Sequence, residues 1–233
     1  MIEKIEASKR FFADHGWLKT HLLFSFADYQ DPKNTNFGSL RVFNDDIVAA
    51  GAGFPEHPHD NMEIVTIVLE GELTHKDSLG NIGTLKPGEV QRMTAGSGVI
   101  HSEYNNSEKP VHLYQIWIFP RSENLPPSYE QKDFSNNFLK NTLIPVASGE
   151  NKGKVMIMQT DATVYITDLE VNKTITHSLN HNRGLFIYIQ TGNLEINGLD
   201  FSTGDQARIT NEPEISLIAK ESTKCIIIDV PLI

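Results

Sequence analysis

An all-β fold of two similar barrels is what the amino-acid sequence predicts, on three observations. Runs of β-branched and aromatic residues are short, frequent and bounded by turn pairs. Stretches with apolar residues at i, i+3, i+4 and i+7 are scarce, so helices should be few. The same strand–Gly–hairpin–Gly–strand order occurs twice along the 233 residues.

The first strong strand signal is Glu63-Ile-Val-Thr-Ile-Val-Leu69, which ends at Gly71. Val111-His-Leu-Tyr-Gln-Ile-Trp-Ile-Phe119 is the second and stops at Pro120. Leu185 to Ile189 and Lys224 to Val230 are two more. Gly80-Asn81, Pro87-Gly88 and Asn197-Gly198 mark turns between strands, and the last is the strongest short hairpin signal. Between the halves, Pro120, Pro126, Pro127, Pro145 and the polar Ser135-Asn136-Asn137 read as a linker, with a short helix near Tyr129 to Leu139. The expected division is an N-terminal barrel with an N-terminal arm over 1–120, a linker over 121–150 and a C-terminal barrel over 151–233. The two barrels should pack face to face.

The repeat is explicit. Val68-Leu-Glu-Gly71-Glu-Leu-Thr aligns with Ile189-Gln-Thr-Gly192-Asn-Leu-Glu at an offset of 121, and Gly88-Glu-Val-Gln-Arg-Met-Thr94 aligns with Gly204-Asp-Gln-Ala-Arg-Ile-Thr210 at 116. The difference of five residues makes the second hairpin shorter, and hairpin loops tolerate such deletions.

Composition narrows the function. Thirty acidic residues against 20 basic ones give a net charge of −10, and no window is strongly basic. A nucleic-acid groove and a membrane-surface helix both need clustered Lys and Arg, so neither is expected. No apolar run approaches the roughly 20 residues of a membrane span, and Met-Ile-Glu-Lys-Ile-Glu at the N-terminus lacks the apolar segment of a signal peptide. The single cysteine, Cys225, rules out an internal disulfide and fits a reducing cytoplasm, where we expect an inert buried thiol. Nine histidines beside one cysteine mean that any metal would use nitrogen and oxygen ligands.

His57-Pro-His59 places two imidazoles on one face of an extended strand, and His101-Ser-Glu103 repeats the i, i+2 spacing. Either pair alone is equally compatible with an ordinary loop or surface. Two pairs, with the Gly-rich Ala95-Gly-Ser-Gly98 leading into the second, could converge inside a barrel. Three imidazoles and a carboxylate suit a divalent first-row metal and leave one or two coordination positions for exogenous ligands.

From Gly51 to Asn105 the chain resembles the two cupin motifs. The first runs from Gly51 through His57-Pro-His59 and Glu63 to Gly71, the second from Gly88 through Gly98 to His101 and Asn105. Within cupins it is similar to the pirin family, in particular to bacterial pirin-like quercetin 2,3-dioxygenases. The segments that carry the likeness are Gly53-Phe-Pro-Glu-His-Pro-His59, Val68-Leu-Glu-Gly71, Met93-Thr-Ala-Gly-Ser-Gly-Val-Ile-His-Ser-Glu103, His15-Gly-Trp-Leu18, Phe24-Ser-Phe-Ala27 and Leu113-Tyr-Gln-Ile-Trp-Ile118. The likeness spans nearly the full length and weakens after residue 145. It implies two tandem cupin barrels (double-stranded β-helices of jelly-roll type). It also implies one divalent metal per chain, held by His57, His59, His101 and Glu103, with Fe(II) favoured over Ni, Mn, Cu and Zn. Glu63 shares the parity of His57 and His59, yet the family pattern places the carboxylate in the second motif. Glu63 is then an acceptor that orients a histidine N–H, or a salt-bridged core residue.

The implied activity is dioxygen-dependent cleavage of a flavonol-like polyphenol with release of carbon monoxide. The metal would act as Lewis acid and template, and Glu103 as general base. The alternative the resemblance carries is a metal-binding regulator that engages a protein partner without turnover. A sugar isomerase would need basic residues for phosphate near the pocket, and the only close one, Arg92, repeats as Arg208 and reads as structural. The expected protein is a cytoplasmic monomer that takes a small aromatic substrate and contacts neither nucleic acid nor membrane.

Other residues receive plainer readings. His75 is placed at an exposed or rim position, His112 in a structural role and Asp45-Asp46 in an exposed turn. Phe54, Met62 and Met93 are pocket wall or core, and one of the faces Gln115/Trp117 and Tyr114/Ile116 lines the pocket. In the second half the repeat register puts Ser178 and Asn180 where the first-motif histidines stand, with His177 and His181 out of phase. Leu217 and Ala219 replace His101 and Glu103, so no metal is expected there.

Overall fold

The computed structural model describes residues 1–135, 140–150, 153 and 155–232. The strand signals resolve into four antiparallel-rich sheets, two per half. In the N-terminal half the larger sheet has the order β12 (Ser128–Asp133), β9 (Glu89–Thr94), β6 (Glu63–Glu70), β11 (Val111–Ile118), β4 (Leu40–Val48), β3 (Leu18–Leu22), β2 (Phe11–Asp14). Its smaller partner runs β5 (Gly53–His59), β10 (Val99–Tyr104), β7 (Leu73–Asp77), β8 (Ile82–Leu85).

The C-terminal half repeats the plan. Its larger sheet has the order β1 (Ile2–Ile5), β20 (Gln206–Thr210), β17 (Arg183–Thr191), β22 (Thr223–Pro231), β15 (Thr163–Leu169), β13 (Ile144–Ser148), β14 (Met156–Ile157). The smaller one runs β16 (Thr174–Ser178), β21 (Glu214–Ala219), β18 (Asn193–Ile196), β19 (Leu199–Ser202). No α-helix occurs among the described residues, and no helix there is long and apolar enough to cross a membrane. The chain is an all-β bicupin, as predicted.

The repeated glycines have a backbone cause. Gly71 and Gly192 have φ of +75° and +91°, and a Cβ there would lie 2.6 Å from the Pro110 carbonyl oxygen and 2.3 Å from that of Ser222. Only glycine fits such a turn packed against another backbone.

The two larger sheets lie face to face. Val65, Ile67, Tyr114 and Ile116 from one pack on Phe186, Tyr188, Ile226 and Ile228 from the other in one buried core. These residues alternate in sequence with those that face the barrel interiors, so both faces of each central strand are covered.

Three expectations need correction. The segment 121–150 is not free chain: β12 pairs along β9, and β13 pairs with β15 in the other half. The helix expected near Tyr129 is absent over Ser128–Asp133, where the backbone ladder with β9 claims the residues; 136–139 lie outside the described residues. The N-terminal arm crosses over, because β1 pairs with β20 of the C-terminal sheet (Ile2 opposite Ile209, Ile5 opposite Gln206).

Asp45 and Asp46 lie in β4 rather than in an exposed turn, and strand alternation sends them to opposite faces. Asp45 sits between the barrels. It accepts hydrogen bonds from His112 Nε2 at 2.6 Å and Tyr188 Oη at 2.7 Å and pairs with Arg10 at 3.4 Å. Burial opposes ionisation there, but the bonds from His112 and Tyr188 prevail and hold the carboxyl below the usual range. His112 is thus structural, as expected.

Candidate metal centre

β5 and β10 pair antiparallel, with His101 opposite His57 and Val99 opposite His59. The register then slips, so that Glu103 faces Phe54. The slip is a bulge with an extra residue on β5, a device that re-aims side chains. Within it the Pro55 carbonyl accepts the Nδ1–H of His57 at 2.7 Å, which leaves the His57 Nε2 lone pair free. His57 Nε2 and His101 Nε2 stand 3.0 Å apart, and ligand nitrogens of His57, His59 and His101 all lie within 4.8 Å of one another. Burial and the neighbouring imidazoles push His59 down to about 4 and His101 down to about 3, so both are neutral near pH 7. Neutral, converging nitrogens on inward strand positions fit a divalent cation.

Glu103 is buried beside this cluster. Its carboxylate and the nitrogens of His101 and His75 lie within 4.8 Å of one another. Both oxygens are held: Oε1 accepts from Gln91 Nε2 at 3.2 Å and Oε2 from Gln115 Nε2 at 2.8 Å. Gln115 is itself fixed, since its Oε1 accepts from Thr66 Oγ1 at 2.9 Å. Asn44, Gln115, Thr66 and Gln91 are successive cross-strand neighbours on β4, β11, β6 and β9. They make a polar row across the floor of the N-terminal barrel.

The equivalent row of the C-terminal barrel, on β15, β22, β17 and β20, is Tyr165, Ile227, Ile187 and Ala207. All four belong to that barrel's core, together with Leu217 and Ala219. The strand pairing also corrects the expected register. Ile175 faces Leu217 and His177 faces Ile215, so His177 takes the place of His59 and Ile175 that of His57. His177 lies 3.4 Å from Asp229, which Arg183 also binds.

His75 is fully buried, contrary to the exposed or rim position expected. Its Nδ1 lies 3.3 Å from His101 Nδ1, its Nε2 lies 3.1 Å from Asp77 Oδ2, and its ring stacks on Tyr129 at 4.6 Å. With His101 Nε2 turned to the cluster, His101 Nδ1–H donates to His75, and His75 Nε2–H donates to Asp77. His75-Lys-Asp77 has the same i, i+2 parity as the two ligand pairs, which was a usable signal. Glu63 is absent from the site. It is buried in β6 and accepts from the Thr94 hydroxyl at 3.0 Å, and burial raises its carboxyl. It orients no histidine.

A cavity of about 310 Å³ opens on the cluster. His57, His59, Glu103, Gln115 and Trp117 line one side; Phe11, Leu18, Leu22, Phe26 and Phe54 supply apolar walls. The Gln115/Trp117 face is therefore the one that lines it, while Met93 packs in the core with Ile64, Ala95 and Val99, and Met62 packs against them. Arg92 bonds Ser128 and Glu130, outside the cavity.

Known proteins share this plan. The family model described as Pirin matches residues 5–118, and that described as Quercetinase C-terminal cupin domain matches 145–230. The chain is 40% identical to a quercetin 2,3-dioxygenase of Escherichia coli K12 over 99% of both chains. It is also 40% identical to a pirin-like protein of Caulobacter vibrioides, over 98% of this chain and 99% of the relative. The crystal structure of the bacterial pirin YhhW of Escherichia coli in complex with nickel(II) superposes with a TM-score of 0.95 at 39% identity, covering 100% of both chains.

Proposed function

Since the chain belongs to the pirin family, we propose that it is a metal-dependent dioxygenase that cleaves a flavonol-type polyphenol. His57, His59, His101 and Glu103 would hold one divalent metal, iron(II) first among iron, nickel, manganese, copper and zinc. When bound, the metal supplies Lewis acidity and a template for substrate and dioxygen. The nickel(II) complex of the related bacterial pirin and the donor set of imidazoles plus one carboxylate support this assignment.

The observation that carries the reading is the position of Glu103. It is a carboxylate at the edge of the imidazole cluster, on the wall of an aromatic-lined cavity, with both oxygens already aimed by Gln91 and Gln115. A planar aromatic would lie against Phe11, Phe54 and the touching pair Phe26 and Trp117, with its enolic hydroxyl toward Glu103. Glu103 takes the hydroxyl proton as general base, and the apolar walls exclude water from the deprotonated ring. The 310 Å³ cavity is at the small end of the range of about 300–1,000 Å³ for ligand sites.

Metal analysis of the purified protein combined with oxygen uptake and carbon monoxide release across a flavonol panel tests the proposal. Metal-dependent uptake with one flavonol supports it. A metal-loaded protein that consumes no oxygen with any of them would turn the reading to partner binding.

A further inference from the structure

Beside the Gln115 that holds Glu103, the cavity wall carries buried polar atoms that nothing among the described residues satisfies. Thr20 Oγ1, Asn44 Oδ1 and Asp46 Oδ1 have no hydrogen-bond partner. Their residues are 4%, 6% and 3% exposed, and all three line the cavity. They are neighbours, since Thr20 faces Asp46 across β3–β4 and Asn44 faces Gln115 across β4–β11. The wall thus continues the polar row that seats Glu103. The Thr20 hydroxyl faces the Asp46 carboxyl without closing a bond of ordinary geometry.

Leaving such groups unpaired costs stability, and native structures pair almost all of them. Leucine or valine would fill these positions at no such cost, and the other barrel has Tyr165, part of its core, in the place of Asn44. Burial pushes Asp46 up to about 7, with Asp45 and Glu103 adding to it, so near neutral pH the carboxyl can donate or accept. An amide oxygen, a hydroxyl and such a carboxyl together complement the hydroxyl groups of a ligand.

We propose that Thr20, Asn44 and Asp46 form a recognition wall for ring hydroxyls remote from the metal-facing edge of the substrate, so that the cavity selects polyhydroxylated flavonols over bare ones. This rests on the polyphenol reading above and adds the specificity. Hydroxyls on the far ring meet the wall, while Leu18, Leu22 and Phe26 hold the ring faces.

The test is anaerobic binding to the metal-loaded protein, followed by tryptophan fluorescence. One ligand is 3-hydroxyflavone, which keeps the chelating edge and lacks every other ring hydroxyl. The other is quercetin, which carries hydroxyls on both outer rings. Wild type should bind quercetin at least about tenfold more tightly, the worth of one or two satisfied hydrogen bonds. Thr20→Val and Asn44→Leu should each shrink that ratio toward one, and Thr20→Val, outside the row that seats Glu103, should leave 3-hydroxyflavone affinity unchanged. Both should keep or raise the thermal midpoint of the ligand-free protein, because each removes an unpaired polar atom. Equal affinity of wild type for both ligands overturns the wall and leaves the dioxygenase reading standing. Failure to bind either ligand overturns both. The wild-type comparison decides the matter even if a variant does not fold.

Discussion

Glu103→Gln should separate proton transfer from metal binding. In the wild type, Gln115 and Gln91 each donate to one Glu103 oxygen, at 2.8 and 3.2 Å. An amide at position 103 must present its NH₂ to one of these donors. Gln115 cannot turn, because its Oε1 holds the Thr66 hydroxyl at 2.9 Å. Gln91 can turn to accept it, but the turn carries its Nε2 to the place of the partnerless Oε1, so its NH₂ gives up both position 103 and the 3.4 Å contact to Thr66. One buried donor, the Gln91 NH₂, is then left unpaired, at a cost of about 1–3 kcal/mol. Two charge-assisted bonds become neutral ones, a loss of about 1 kcal/mol each, which relief of a buried charge offsets. The fold should survive with a thermal midpoint somewhat below that of wild type. The amide oxygen can still ligate a metal, but it is a far weaker base, and the loss should be about 10²–10⁴-fold in turnover. The assay is oxygen uptake at saturating flavonol, normalised to metal content. Full turnover in Glu103→Gln, with Glu63→Gln inactive, would refute the reasoning and move the base to β6. On the present geometry Glu63→Gln leaves turnover unchanged.

Three further outcomes follow from the same contacts. His75→Phe keeps the stacking volume on Tyr129 but removes the group that accepts His101 Nδ1–H, so metal affinity should fall about 10–100-fold; a competition titration with a chelator that shows unchanged affinity removes His75 from the site. Asp46 keeps a proton that the unfolded chain loses between its ordinary pKa and about 7, so its effect on stability is most favourable at acid pH and is lost as pH rises toward 7. Asp46→Asn should therefore raise the thermal midpoint of metal-free protein at about pH 8, by up to about 4 kcal/mol in stability, and do little near pH 4; equal effects at both pH values contradict it. Removing residues 1–5 bares the β20 edge, so the shortened protein should aggregate on warming and lose hydrogen-exchange protection in β20 before β9; unchanged protection in β20 would show that β1 is dispensable.

Much of this was legible in the chain because period-two alternation determines which side chains share a barrel interior. Parity pairs His57 with His59 and His101 with Glu103 but does not separate Glu63, which only the resemblance set aside; Gly71 and Gly192 betrayed the duplication because their backbone tolerates no other residue. What escaped notice depended on partners distant in sequence. Asp45-Asp46 has the composition of a turn, and only the pairing of β4 with β3 and β11 reveals one acid between the barrels and the other in the cavity. β12 was hidden among prolines and polar residues, since an edge strand needs no apolar alternation when a neighbouring ladder recruits it. His75 has the right spacing, but Tyr129 and His101, whose rings pack on it, come near only through strand pairing. The register of β16 was displaced because deletions outside the matched glycine blocks moved it by a few residues.

The crossing of β1 to β20 imposes an order on biosynthesis. A nascent chain that has emerged through Asp133 contains every strand of the first barrel's two sheets, yet its own β1 has no place in either of them. That strand stays open until residues 206–209 arrive, and pairing over such a separation is slow. Through that interval an unpaired strand with isoleucine at both ends, Ile2 and Ile5, invites other strands to add to it. Its middle residues are Glu3 and Lys4. Charges of opposite sign at the centre of a waiting edge discourage stray pairing, and they remain at the surface once the ladder closes.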